Sequence, residues 1–196
     1  MSIPTNSFRR AVSIVAILNL AYFGVEFIVA LNIGSVSLFA DSIDFLEDTL
    51  INLLILVALG WSAHKRSIVG MLLAGFLLIP GIATLWMAWN KIDLPILPDP
   101  IFLSLTGAGA LVVNVLCAFI LVTFKNHQSS FTKVAYLSAR NDVIGNIAII
   151  AAGIATAIMT SVWPDIIVGL GIFLMNLGAA REVFLIAKKE HADAKA

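Results

Sequence analysis

Asp44 and Asp48 stand four residues apart in a stretch, 37 to 60, that contains no lysine or arginine. On an α-helix that spacing stacks two carboxylates on one face about 6 Å apart, with Asp41 one turn earlier on nearly the same stripe. Two carboxylates so placed can grip one divalent ion. Without a cation they repel, and a proton shared between them is the alternative way to limit the charge, so metal binding there displaces a proton. Ser138 and Asp142 repeat the i, i+4 spacing further along the chain, and Asn146 follows one turn later. Together the two segments offer three carboxylates and a hydroxyl. Four hard oxygen donors favour Mn, Fe, Co or Zn over thiophilic ions.

The setting makes these acids conspicuous. Sixty per cent of the 196 residues are hydrophobic, 12% are charged and the mean hydropathy is +1.01, whereas a soluble domain is about half apolar and a quarter charged. Apolar runs bounded by charge, Pro or Asn predict six membrane spans near 11–31, 37–60, 67–89, 100–124, 133–158 and 164–187. Glu26, Asp41, Asp44, Glu47, Asp48 and Asp142, half of the 12 acidic residues, fall within the first, second and fifth of these spans. A charge at the bilayer centre costs about 2.5 to 3.5 kcal/mol, which marks such residues as facing a wet cavity, a cation or protons. The competing reading is structural, with acids pairing to Arg140, Asn19 or Asn114 to hold the bundle. It weighs most for Glu26 and Glu47, because Arg140, the one arginine in the acid-bearing first, second and fifth spans, needs a partner. Asp41 lies near the expected outer mouth, as a cap, a relay or part of an access path.

Ten of the 12 Lys and Arg residues fall on one side of this topology: Arg9, Arg10, Lys65, Arg66, Lys125, Lys133, Arg181, Lys188, Lys189 and Lys195. The other side receives Lys91 with Asp93, Asp99 and Asp165. The positive-inside rule therefore predicts cytoplasmic N- and C-termini. The first apolar stretch is longer than a signal-peptide core and reads as a retained helix. Pro80 is expected to kink the third span, and the segment from Leu94 to Pro100, with three prolines, reads as an extended connection. Gly107, Gly109, Gly145, Gly153, Gly169 and Gly171 offer close helix contacts. Trp61, Trp86, Trp89 and Trp163 lie at span ends, as interfacial aromatics do. Cys117 is the single cysteine, which excludes an intrachain disulfide. A formal net charge of zero gives no reason to expect nucleic acid. His64, His127 and His191 read as solvated surface residues.

The residues thus describe a six-span carrier of divalent cations or protons. Asn19-Leu-Ala-Tyr-Phe-Gly-Val-Glu26, followed by Gly34-Ser-Val-Ser-Leu-Phe-Ala-Asp41-Ser-Ile-Asp44-Phe-Leu-Glu-Asp48, resembles the first two helices of the cation diffusion facilitator family. Asp142-Val-Ile-Gly-Asn146 resembles its fifth helix, with weaker echoes at Asn114 and at Trp163-Pro164-Asp165. By position, the resemblance implies that Asp44, Asp48 and Asp142 are ligands of a mid-membrane transport site. Ser138 occupies the place where the family usually has His or an acid, which leaves the metal open. Asp41, Glu47, Glu26 and Asn146 are candidates for an accessory role or a proton path.

What the resemblance implies is an all-α integral membrane protein with a transmembrane cation-efflux domain over 1–190 and a short cytoplasmic tail over 191–196. Family members commonly continue into a cytoplasmic metallochaperone-like domain, which this reading expects to be lacking, along with a His-rich loop between spans four and five. The expected function is secondary active export of Zn, Cd, Co, Fe or Mn by proton antiport with alternating access, in a homodimer in a bacterial inner membrane. No permanently bound cofactor is expected, only the transported ion and protons as counter-ion. No Walker A or phosphorylatable aspartate signature offers a route for hydrolytic energy, and no nucleophile or Ser/Lys dyad suggests an enzyme. The alternatives are a passive cation or proton channel, whose pore the acidic stripe would line, and a non-transporting sensor or assembly partner on the same fold.

Overall fold

In the computed structural model of the chain, residues 5–58, 61–76, 78–124 and 130–193 are described. They form seven helices: α1 (Thr5–Ile33), α2 (Val36–Ala58), α3 (Ala63–Phe76), α4 (Leu78–Asp93), α5 (Pro100–Val122), α6 (Ser130–Met159) and α7 (Trp163–Asp193). Four contain segments long and apolar enough to cross a bilayer: Asn6–Ile33, Pro100–Val122, Asn141–Met159 and Trp163–Lys189. The 23 residues of α2 give about 34 Å of helix, enough for a hydrocarbon core. Its four carboxylates take it out of that class on composition alone.

The third expected span, 67–89, is described as α3 and α4 on either side of Leu77, which lies outside the described residues, with Pro80 three residues beyond it. The proline-rich connection is non-helical over 94–99. It ends at Asp99, whose carboxylate caps α5 by accepting from the N–H groups of Ile101 (2.9 Å) and Phe102 (3.1 Å), with Pro100 in the first helical position.

Polarity is distributed inside out. Ile17, Leu72, Trp86, Leu105, Phe119 and Ile158 are exposed, whereas Asn19, Glu26, Asp41, Asp44, Asp48, Asn114, Asp142 and Asn146 are buried. Water would penalise such a surface, and a lipid solvent does not. The interior is layered along the helix axes. One apolar cluster joins Phe8, Val12 and Val15 of α1 to Ile51, Leu54 and Ile55 of α2, Leu121 of α5 and Val183 of α7. A second joins Ala30, Leu38, Phe39, Ile43, Leu103, Ile149 and Ile172 towards the other end. The buried polar residues of α1, α2, α5 and α6 lie between them, so the polar layer occupies the middle of the bundle with hydrocarbon above and below.

Small residues let the helices approach. A Cβ placed at Gly169 of α7 would fall 2.8 Å from Ser37 N and 2.8 Å from the carbonyl carbon of Val36, both backbone atoms that cannot swing away. Gly107 and Gly153 likewise seat α5 against α6. A Cβ at Gly171 meets nothing within 4 Å among the described residues, which gives no sign there of the close contact expected from sequence. Gly169→Ala is therefore expected to lower stability by about 1 to 3 kcal/mol through forced separation of α2 and α7. Gly171→Ala should be neutral or stabilising, since alanine is the better helix former. Thermal unfolding of the two purified variants checks the contrast.

Candidate metal centre

The α1–α2 turn comes first, because it fixes the register of the acid-bearing helix. Gly34 adopts φ +63°, a conformation glycine reaches without steric cost. The N-terminus of α2 is then capped from α7, which is distant in sequence. Asp165, fully buried, accepts from Ser35 Oγ (2.7 Å), Val36 N (2.9 Å), Ser37 N (3.1 Å) and Ser37 Oγ (2.6 Å). Lys91 of α4 completes the cluster, its Nζ donating to Asp165 Oδ2 at 2.8 Å and to the Gly34 carbonyl at 2.5 Å. One carboxylate thus satisfies otherwise orphaned helix donors, and the positive helix end favours its charge. The sequence reading placed Lys91 and Asp165 on the same side of the membrane without pairing them. Their separation of 74 positions leaves no local signal.

With α2 so anchored, its acids meet the other helices in successive turns. Nearest the α1–α2 turn, Asp41 Oδ2 accepts from Asn146 Nδ2 of α6 at 2.7 Å, and Asn146 Oδ1 accepts from Asn114 Nδ2 of α5 at 3.0 Å. Glu26 of α1 has its carboxyl within hydrogen-bonding reach of Asp41. About 4.5 Å along the axis, the carboxyls of Asp44 and Asp142 face each other within the same reach. One further turn on, Asp48 Oδ2 accepts from Asn19 Nδ2 at 3.4 Å, and Cys117 Sγ donates to Asn19 Oδ1 at 3.5 Å. Four helices therefore build one continuous polar stack.

The structure brings Asp44 and Asp142 together and leaves Asp48 one turn away, held by Asn19. Among the described residues no three Asp, Glu, His or Cys side chains converge on a single ion position. The Asn19–Asp48 hydrogen bond, at 3.4 Å, is a long and weak one. Ser138 lies in α6 one turn before Asp142, and its side chain falls outside the described residues, as does that of Arg140. Glu47 points to a different side of α2. With Ile43, Thr84, Phe173 and Asn176 it lines a cavity of ≈ 20 Å³ between α2, α4 and α7, room for about one water.

Two residues read from sequence as solvated prove to be in contact. The rings of His64 and His191 stack with centroids 4.7 Å apart, and His191 Nδ1 lies 3.1 Å from Ser67 Oγ, tying the start of α3 to the end of α7. Neither histidine approaches the buried acids. His127 lies outside the described residues.

The sequence profile of the cation efflux transmembrane domain matches residues 12–189, and so takes in part or all of every helix described here. The chain belongs to that family. No curated protein matches it. Cation efflux domains are membrane transporters of metal cations rather than enzymes, and a buried acid stack in a lipid-facing bundle suits that task.

Proposed function

We propose that this cation efflux domain is a proton-coupled exporter of divalent transition metals, with Asp44, Asp48, Asp142 and Ser138 as the ion's ligands. The observation that carries the reading is the facing Asp44/Asp142 pair, sealed from both ends of the bundle by apolar clusters. Carboxylates there can alternate between metal-bound and protonated states, which limits the charge buried in the membrane at every stage of a cycle. Among the described residues packed side chains close both ends of the polar stack, which favours access by helix movement over a standing pore.

In this reading α3 and α4 together make the third of six spans, and α2 is the second. Both termini lie in the cytoplasm, because that placement puts ten of the chain's 12 Lys and Arg residues inside. Lys91 and Asp165 then close the outer face. The metal is one that tolerates an oxygen-rich site: Zn, Cd, Co, Fe or Mn.

Purified protein in liposomes loaded with a pH dye tests the proposal. Zn, Cd, Co, Fe, Mn and Ni are offered in turn, and the expected result is saturable uptake of at least one ion accompanied by proton counterflow. Flux that rises without saturation and without proton movement would make the protein a channel. No flux of any ion would make it a sensor or assembly partner.

A further inference from the structure

Glu26 has no exposed surface, and neither of its carboxyl oxygens accepts a hydrogen bond from any donor among the described residues. Beside it stands another acid, Asp41, within hydrogen-bonding reach. Asp41 is not free to turn into a donor at both oxygens. Asn146 uses an amide hydrogen on Asp41 Oδ2 and its carbonyl on Asn114, so Asp41 Oδ2 is fixed as an acceptor. Carboxylate oxygens carry no hydrogen, and two of them in contact can bond only if a proton lies between them. Two bare anions packed together without water would be far costlier than an acid–carboxylate hydrogen bond.

The titratable groups bearing on this pair are Tyr22 of α1, Asp44 and Asp48 of α2 and Asp142 of α6. Each is an acid or a phenol, so none supplies a compensating positive charge. Tyr22 directs its hydroxyl at the Thr106 carbonyl, 2.6 Å away, and is thereby occupied. From α5 the pair is approached through the neutral amide of Asn114.

We propose that Glu26 and Asp41 together bind a single proton, an ion site of their own one helical turn from the Asp44/Asp142 pair on the side of the α1–α2 turn. The existence of this proton stands on the contacts above, and its use rests on the exchange reading. A divalent ion seated one turn away repels the shared proton and replaces the charge it supplied. Metal loading therefore expels this proton as well as any on the ligands themselves.

Infrared spectroscopy of the metal-free full chain in liposomes tests the site directly, because a protonated carboxyl has a carbonyl stretch that a carboxylate lacks. Wild type is expected to show such a band, shifted by D2O. Glu26→Gln and Asp41→Asn should each remove a component of it that Asp44→Asn retains, apart from whatever the Asp44/Asp142 pair contributes. Glutamine mimics the protonated acid in shape and can donate to Asp41, so Glu26→Gln is expected to fold and unfold as wild type does. Addition of Zn or Mn to wild type should diminish the band while protons appear in bulk, with about one proton per ion fewer in Glu26→Gln. The proposal is overturned if metal-free wild type has no such band, a result needing no variant. It is equally overturned if the band is undiminished in both Glu26→Gln and Asp41→Asn, or if Asp44→Asn alone abolishes it. A wild type that shows the band yet moves no metal supports the proton site and defeats the exporter reading.

Discussion

Replacing Asp44 with alanine is expected to reduce metal uptake into liposomes by about 100-fold or more while leaving the protein at least as stable as wild type. Removal of a group that merely supports a metal ligand already costs about 10- to 100-fold in affinity, and in the reading advanced here Asp44 is itself a ligand. The stability half of the expectation follows from the pair it forms with Asp142. Two carboxyl groups packed together away from water cost stability even when they share a proton, and removing one relieves part of that cost. Uptake and unfolding should be measured on the same preparation, with Asp93→Ala, an exposed acid at the end of α4, as the control that keeps wild-type transport. Loss of both activity and stability would mean that Asp44 serves the bundle and not the ion. Full transport by Asp44→Ala would remove the metal site from this position.

The second large effect concerns the Asp165 cluster and runs the other way, falling on stability. Asp165→Ala leaves the buried Lys91 ammonium without its counter-ion and uncovers the Val36 and Ser37 N–H groups at the head of α2. Breaking a buried ion pair by deleting one partner costs about 3 to 5 kcal/mol, chiefly because the remaining charge has no compensation. Combining Asp165→Ala with Lys91→Met removes the stranded charge and should recover a substantial part of the loss, with the uncapped helix as the remainder. Denaturant midpoints of wild type, both single variants and the double variant form a cycle that isolates the pair. Equal losses in Asp165→Ala and in the double variant would show that helix capping, and not the ion pair, carries the energy.

These two sites were unequally legible in the sequence. The stripe Asp41, Asp44, Asp48 declares itself because helical spacing alone fixes which side chains share a face, and the same arithmetic brings out Asp142 and Asn146. It also accounts for Glu47, one residue from Asp48 and about 100° around the helix, which looks instead towards α4 and α7. What spacing cannot convey is which turn of one helix meets which turn of another. That Asp44 faces Asp142 while Asp48 is engaged by Asn19, and that Glu26 meets Asp41, depends on how far α2 is drawn along its axis. The Gly34 turn and the Asp165 cap set that position. The stack of His64 on His191 was hidden for the same reason as the Lys91–Asp165 pair: partners far apart in sequence leave no periodic trace.

The Asp165 cap has a consequence for how the protein is made. Its parts lie at residues 34–37, 91 and 165, so α2 leaves the ribosome with its first N–H groups unsatisfied and Lys91 emerges 74 residues before its counter-ion. At synthesis rates of about 5 to 20 residues per second, that interval lasts about 4 to 15 s. During it the acid-rich α2 is held in the membrane by neither its cap nor its ion pair. Integration of the acid-bearing α2 is thus completed by α7, and a chain cut short before Asp165 would leave α2 the segment most readily released to water and to proteases.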